Sequence, residues 1–562
     1  MPTVTAVVTA GGVSVTIRGA VVDESETILS RLVSDGVPRS LSSGHAGLWG
    51  PDAAPEASRR LGWLRLPGRS RVLPARLAEL AGAARDAGLD RVVLAGVGGA
   101  ALAPEAIARA RGVPLTVLDT TDPLEVGRAL DGDLRRTLVV VADPSGGDVQ
   151  TDALRRVFQA AFGAAGIAGA DLARHFAVVT DPGSPLAEAA GAAGYRLLPA
   201  PGDVGGRYAA LSALGLAPEA LAGADAAGLL AEAAELVPVL AQPYENPALA
   251  LGAVLGASAL VGRDKLAVAE GGSGLRGLGG WIEHLVAEST GKDGRGVLPV
   301  VVEGVDAPGF EPADDVRRVV LGARPGDAAA RGPSGEDAAL SVSGPLGAQF
   351  LLWQYATAVA CRVLGVNPFD QPDVRASERN TAALLRAEEG LAPTVISRVP
   401  ALVCGEVEVH APEELVRGAT DLTGVLEGLL EAVPDGGYLA VMAYLDREGD
   451  AAAADLRGLL AARGAAVRKR PAPVTFGWGP RLLHTTGQYH KGGPQNGVFL
   501  QLTGESPRDV AVPGRPYSLR ELQLAQAFGD LRALRSVGRP AVRLHLRDRA
   551  AGLARLAAAL TG

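Results

Sequence analysis

From Arg91 onward, short β-branched runs alternate with amphipathic stretches of helix length. Arg91-Val-Val-Leu-Ala-Gly-Val reads as a buried strand followed by a glycine turn and a helix starting near Pro104. Further strands are predicted at Pro114 to Asp119, Arg136 to Val141, Phe176 to Thr180 and Tyr195 to Leu198. Short apolar runs separated by helices are the rhythm of a parallel sheet buried on both faces. A helical connector spans roughly Pro218 to Leu260, and a second strand series follows: Lys265 to Ala269, Val297 to Val302, Arg317 to Leu321, Tyr438 to Leu445, Val498 to Leu502 and Ala541 to Leu546. The expected fold is α/β, with two doubly wound parallel-sheet domains and flanking helices. The expected divisions are a helical segment over 1–80, a first α/β domain over 81–235, a second over 236–535, and a C-terminal strand and helix over 536–562 packing on the body. Turn formers are densest from Pro325 to Glu336, which reads as a mobile surface loop.

Composition narrows the function classes. The 562 residues are 48% hydrophobic and 21% charged, an ordinary globular balance with length for two or three cores. A net charge of −8 argues against a nucleic-acid surface, which needs clustered Lys and Arg. The two cysteines, Cys361 and Cys404, lie in apolar runs, so neither a disulfide framework nor a metal-ligand spacing is present and a reducing cytoplasm is expected. Met1 to Arg18 has no basic start followed by an apolar core, and no run of 18 apolar residues occurs, so neither a secretory signal nor a membrane span is expected.

Five segments carry candidate chemistry. Gly96-Val-Gly-Gly-Ala-Ala-Leu-Ala-Pro-Glu105 joins a strand to a helix, where backbone N–H groups converge on a ligand or simply allow close packing. Val141-Ala-Asp-Pro-Ser-Gly-Gly-Asp-Val-Gln-Thr151 has the same placement, with Ser145, Gly146 and Gly147 able to form a cradle. Asp143 and Asp148 there repel a phosphate, and either can cap the helix. Gly205-Gly-Arg-Tyr208 puts an arginine on a glycine hinge; the alternative is a solvated surface residue. In Trp281-Ile-Glu-His-Leu-Val-Ala-Glu-Ser-Thr-Gly-Lys292, Glu288 stands at the negative end of a helix that Gly291 terminates, sharing a face with His284. A carboxylate in that unfavourable place is a functional candidate, against a surface glutamate paired with Lys292. His484 to Gln501 gathers two histidines, a lysine and several amides ahead of an apolar strand, a composition suited to a polar ligand. The histidines lack metal-ligand spacing, and Gly96-Val-Gly-Gly lacks the third glycine of a dinucleotide fingerprint, so neither a metal nor a nucleotide cofactor is expected.

In this order, with Leu48-Trp-Gly-Pro, Glu245-Asn-Pro, Leu364-Gly-Val-Asn-Pro-Phe-Asp-Gln-Pro-Asp373 and Thr486-Gly-Gln-Tyr-His-Lys-Gly-Gly-Pro494, the chain resembles the glucose-6-phosphate isomerase (phosphoglucose isomerase) family. That family is built of two sugar-isomerase (SIS) domains, and the nearest form is the isomerase half of bacterial bifunctional transaldolase/phosphoglucose isomerase. The resemblance implies interconversion of glucose 6-phosphate and fructose 6-phosphate through a cis-enediol, without a cofactor, in a cytoplasmic homodimer. It further implies Glu288 as the base, Arg207 as enediolate stabiliser, and Lys491 with His490 for ring opening. Gly98, Gly99, Ser145, Gly146, Gly147, Thr151 and Gln488 would bind substrate. Two departures stand out. The family's ring-opening histidine is absent from Gly347-Ala-Gln-Phe-Leu-Leu-Trp353, and the phosphate-loop hydroxyls and lysine are replaced by Ala100, Ala101, Asp143, Pro144 and Asp148. The alternatives are therefore a related enzyme for a non-phosphorylated or amino sugar, and a non-catalytic sugar-binding or partner protein.

Overall fold

The computed structural model of the chain describes residues 4–271, 274–322, 338–386, 399–416 and 418–562. The loop expected at Pro325 to Glu336 lies outside them. The described residues begin with a hairpin, β1 (Thr5–Ala10) and β2 (Val13–Arg18), turned by Gly11 and Gly12, both at positive φ. A two-residue turn with φ positive at both positions matches the twist of the strands it joins, and glycine adopts it without strain.

Five strands, β3 (Arg91–Gly96), β4 (Leu115–Leu118), β5 (Thr137–Ala142), β6 (Phe176–Thr180) and β7 (Arg196–Pro199), form an all-parallel sheet in the order β4-β3-β5-β6-β7. Every residue of β5 is buried, as expected of a central strand covered by helices on both faces.

The later strands divide over two sheets rather than one. β8 (Lys265–Glu270), β9 (Leu298–Val301), β10 (Val316–Leu321) and β11 (Leu340–Ser343) are parallel neighbours, and β2 adds to β11 antiparallel, giving β1-β2-β11-β10-β8-β9. The third sheet takes β12 (Leu402–Cys404), β13 (Val407–His410), β14 (Tyr438–Tyr444), β15 (Val474–Trp478), β16 (Gly497–Gly504) and β17 (Ala541–Leu546) in the order β12-β13-β17-β16-β14-β15. The sheets are distributed over the expected divisions as follows. The segment 1–80 contributes two strands to a sheet as well as helices. The segment 236–535 spans parts of two sheets. The segment 536–562 supplies a strand and a helix, Arg549–Thr561; the strand is β17, hydrogen-bonded on one side to β13 and on the other to β16.

The helices Pro247–Leu260 and Leu346–Leu364 cross at the centre. The first is apolar all round and buried from Pro247 to Ser258, which marks an interior helix. Gly252 and Gly256 let it approach closely: a Cβ on either would stand 2.6 Å from Val359 or Val363 of the other helix. One continuous apolar core runs from β2 and β11 through these helices to Val92, Leu94, Leu138 and Val140 of the first sheet. A second cluster joins Ala267, Val300 and Val320 to Tyr438, Met442 and Phe499, fastening the third sheet to the second.

Candidate functional site

Glu288 lies one turn from the end of the helix Leu278–Thr290, which Gly291 closes. A Cβ on Gly291 would stand 2.5 Å from the Tyr489 backbone, so only glycine lets the segment carrying Lys491 sit against the helix end. Glu288 is 4% exposed, and Lys292 pairs with Asp370 at 2.8 Å, which removes the reading as a surface glutamate paired with Lys292. Its carboxylate lies 3.8 Å from Arg207 Nε and 2.9 Å from His284 Nδ1. Arg207 is equally buried. Its guanidinium donates to the Ser289 hydroxyl at 3.3 Å and to the Phe369 carbonyl at 2.8 Å, so the Asn-Pro-Phe-Asp segment holds it in place. Burial pushes the Glu288 carboxyl up, but Arg207, His284 and His484 together outweigh it and hold the group below its ordinary range. A carboxylate kept ionised in a buried place is what a proton-abstracting base requires.

The glycine turn closes over this pair. Gly99 is pressed against the backbone of Gly206, where a Cβ would stand 2.0 Å from the carbonyl oxygen. Gly98, at φ +57°, faces the rings of His284 and His484. His284 Nδ1 donates to the His484 carbonyl; because a carbonyl only accepts, Nδ1 carries the hydrogen, and Nε2 is left buried without a partner. His284 and His484 were not among the expected site residues, although the i, i+4 spacing of His284 and Glu288 on one helix signalled the first. His484 lines a cavity of about 480 Å³ together with Val97, Ser145, Gly147, Gln371 and Gln526.

Ser145, Gly146, Gly147 and Thr151 surround the turn between β5 and the helix Val149–Ala164. Gly146 is at φ +67°, and a Cβ there would stand 2.8 Å from the Leu186 backbone nitrogen, so this loop also depends on glycine. Asp148 caps the helix by accepting from Thr151 N at 2.7 Å, the simpler of the two sequence readings.

Three expected residues are placed differently. His490 is buried in the core: its Nδ1 meets the Tyr438 hydroxyl at 2.9 Å and its ring stacks on Tyr438 and meets Phe499 edge-on. Burial pushes its pKa well below the ordinary value. Lys491 pairs with Asp530 at 2.6 Å and donates to the Gly487 carbonyl, while Ser377, on the cavity wall, donates to the same Asp530 oxygen. Gln488 spends its amide on the Gly291 carbonyl at 3.0 Å and on Asp373 at 2.6 Å, making it a clamp between segments rather than a free ligand group.

Among the described residues no cluster of three His, Cys, Asp or Glu could hold a metal, and no helix is long and apolar enough to cross a membrane. Cys361 is a core residue whose thiol burial pushes up to about 12.

No family model matches the chain. It is 38% identical over 219 residues to a Haloarcula marismortui protein named probable glucose-6-phosphate isomerase, covering 37% of this chain and 49% of that protein. A Natronomonas pharaonis protein of the same name is 36% identical over 216 residues and is likewise covered to 49%, so the chain spans about half the length of these curated relatives. The glucose-6-phosphate isomerase of Rubrobacter xylanophilus is 31% identical over 390 residues, 57% of this chain and 88% of that protein. Among solved structures, a hypothetical protein from Thermus thermophilus superposes with a TM-score of 0.56 at 25% identity, over 68% of this chain and all of that one. A glucose-6-phosphate isomerase from Chlamydia trachomatis superposes at 0.52 with 18% identity over 70% of this chain and 92% of its own, a likeness of fold. On a relative matched across 88% of its length at 31% identity, the chain belongs to the glucose-6-phosphate isomerase family.

Proposed function

We propose that the chain interconverts glucose 6-phosphate and fructose 6-phosphate, with Glu288 carrying the proton between C1 and C2 of the open-chain sugar. The observation that supports this most is the buried Glu288 carboxylate held ionised 3.8 Å from Arg207, beneath the Gly98-Gly99 turn. Removing a carbon-bound proton leaves an enediolate whose negative charge grows on the oxygens. Arg207 is the cation on hand to stabilise it, an effect worth about 3–4 kcal/mol where a positioned donor has been removed in other enzymes. A positioned base contributes about 10²- to 10⁴-fold.

His490 is buried in its core position, so this reading gives ring opening to His484, a residue of the cavity wall, with Lys491 behind it through Asp530 and Ser377. Gly98, Gly99 and the Ser145 to Thr151 turn supply the backbone donors for the rest of the substrate. The reading includes a homodimer, and a monomer mass in light scattering would remove that part.

The test is a coupled assay in which fructose 6-phosphate is supplied and glucose 6-phosphate is followed through its dehydrogenase. Turnover is expected, and Glu288→Gln should lower it by at least ~10² with unchanged circular dichroism. A folded Glu288→Gln variant with full activity would take the base assignment away.

A further inference from the structure

The turn after β5 is where this reading seats the phosphate, yet its donors are already engaged. Asp143 Oδ1 accepts from Ser145 N at 3.0 Å and from the Ser145 hydroxyl at 2.8 Å, and Asp143 Oδ2 accepts from Asp148 N at 2.9 Å. Gly147 N turns to Ser145 Oγ at 3.2 Å. A carboxylate that gathers converging N–H and O–H donors at a strand-to-helix turn stands where an anionic ligand would stand. Asp143 is only 5% exposed, so it is part of the turn and not a passing contact.

Two independent observations indicate that the turn is still built for a ligand. Thr151 is 1% exposed, its hydroxyl is buried without a partner, and the residue lines a cavity of about 410 Å³ with Asp143, Gly146 and Gly147. The turn also borders the 480 Å³ cavity that His484 lines, together with Asp143, Asp148 and Glu378 and with no lysine or arginine among the described residues. Arg155, Arg156 and Arg515 stand near the smaller cavity, but each is tied to Asp152, at 2.7, 2.7 and 2.6 Å. A phosphate arriving at the turn therefore finds arginines on the wall of the smaller cavity, all three sharing the one Asp152 carboxylate, but meets the Asp143 carboxylate already in place on the turn's own donors.

We propose that Asp143 is an internal competitor for the substrate's phosphate: its carboxylate occupies the donors the phosphate would use, and binding requires its displacement. Asp143 is then a specificity-determining residue that weakens recognition of the phosphate end and leaves the sugar end to Glu288 and Arg207. This deepens the isomerase reading and takes the substrate class from it, but it can be tested without turnover.

The 562-residue chain would be titrated calorimetrically with inorganic phosphate at pH 8. Asp143→Asn keeps an oxygen acceptor for Ser145 and removes the charge; Asp143→Ser removes the carboxylate altogether. Both should bind phosphate at least tenfold more tightly than the wild type, and KM for fructose 6-phosphate should fall in the same order. A folded Asp143→Asn variant that binds phosphate no more tightly than the wild type would overturn the proposal, as would wild-type affinity already in the micromolar range. If phosphate affinity rises in the variants while no form isomerises fructose 6-phosphate, the isomerase reading falls and the role of Asp143 stands.

Discussion

His484 and His490 are six residues apart and stand in opposite surroundings, one on a cavity wall and one stacked on Tyr438 in the core. His484→Gln should lower turnover of fructose 6-phosphate at least tenfold and leave the unfolding midpoint nearly unmoved. His490→Ala should cost about 2–4 kcal/mol, because it opens a cavity and strands the Tyr438 hydroxyl. Urea titration beside the coupled assay separates the two. Buried titratable groups add a pH signature. His490, pushed well below the ordinary 6.5, takes up its proton mainly on unfolding, so its contribution to stability is lost as pH falls below about 6.5. Glu219 is fully buried with neither carboxyl oxygen partnered, and burial raises its pKa well above 4.5. The folded state then binds the proton that the unfolded state releases, so its contribution falls as pH rises above about 4.5. Glu219→Gln should flatten that part of the stability profile, read from urea midpoints between pH 5 and 8. At this scale Glu288 and Arg207 were legible because a carboxylate at the negative end of a helix and an arginine on a glycine hinge are conspicuous. The direction of a side chain was not legible: in the six-residue helix Gly487–Gly492, Gln488, His490 and Lys491 turn to different partners.

Two strands could be read to the residue: Phe176–Thr180 and Ala541–Leu546 fall where the sequence pattern placed them. The hairpin of β1 and β2 was missed although Thr-Ala-Val-Val-Thr-Ala-Gly-Gly-Val-Ser-Val-Thr carries its signal, a two-glycine turn between alternating strands. β12 and β13 were missed for a different reason: at three and four residues they owe their existence to the pairing of β13 with β17 and of β12 with β13, which no local pattern announces. The helix crossing at Gly252 was equally silent, since a glycine in a helix usually only weakens it. Here it abuts Val359 and the Ala356 carbonyl, so Gly252→Ala should destabilise by about 1–3 kcal/mol despite alanine's better helix propensity, measured as a lower melting temperature. A gain in stability would show that the two helices can separate without cost.

Across the whole molecule, the third sheet grips the first through buried charge. Arg447, after β14, lies 3.0 Å from Glu125, 3.3 Å from Asp119 and 3.6 Å from Glu105, and Arg481 pairs with the last two as well. Arg447→Ala would leave Asp119 and Glu125 buried with less positive charge, at a cost of about 3–5 kcal/mol. Because that contact joins two sheets, the loss should also appear as a separate early transition in chemical denaturation; one cooperative transition at the wild-type midpoint would show that this charge cluster is not what fastens them. The pairing of β2 with β11 has a consequence in time. A ribosome making 5–20 residues per second needs on the order of half a minute between the two strands. Throughout that interval the newborn hairpin offers Val13, Val15 and Ile17 and an open hydrogen-bonding edge to whatever passes, so this protein's yield in a cell should depend on chaperones that shelter nascent chains.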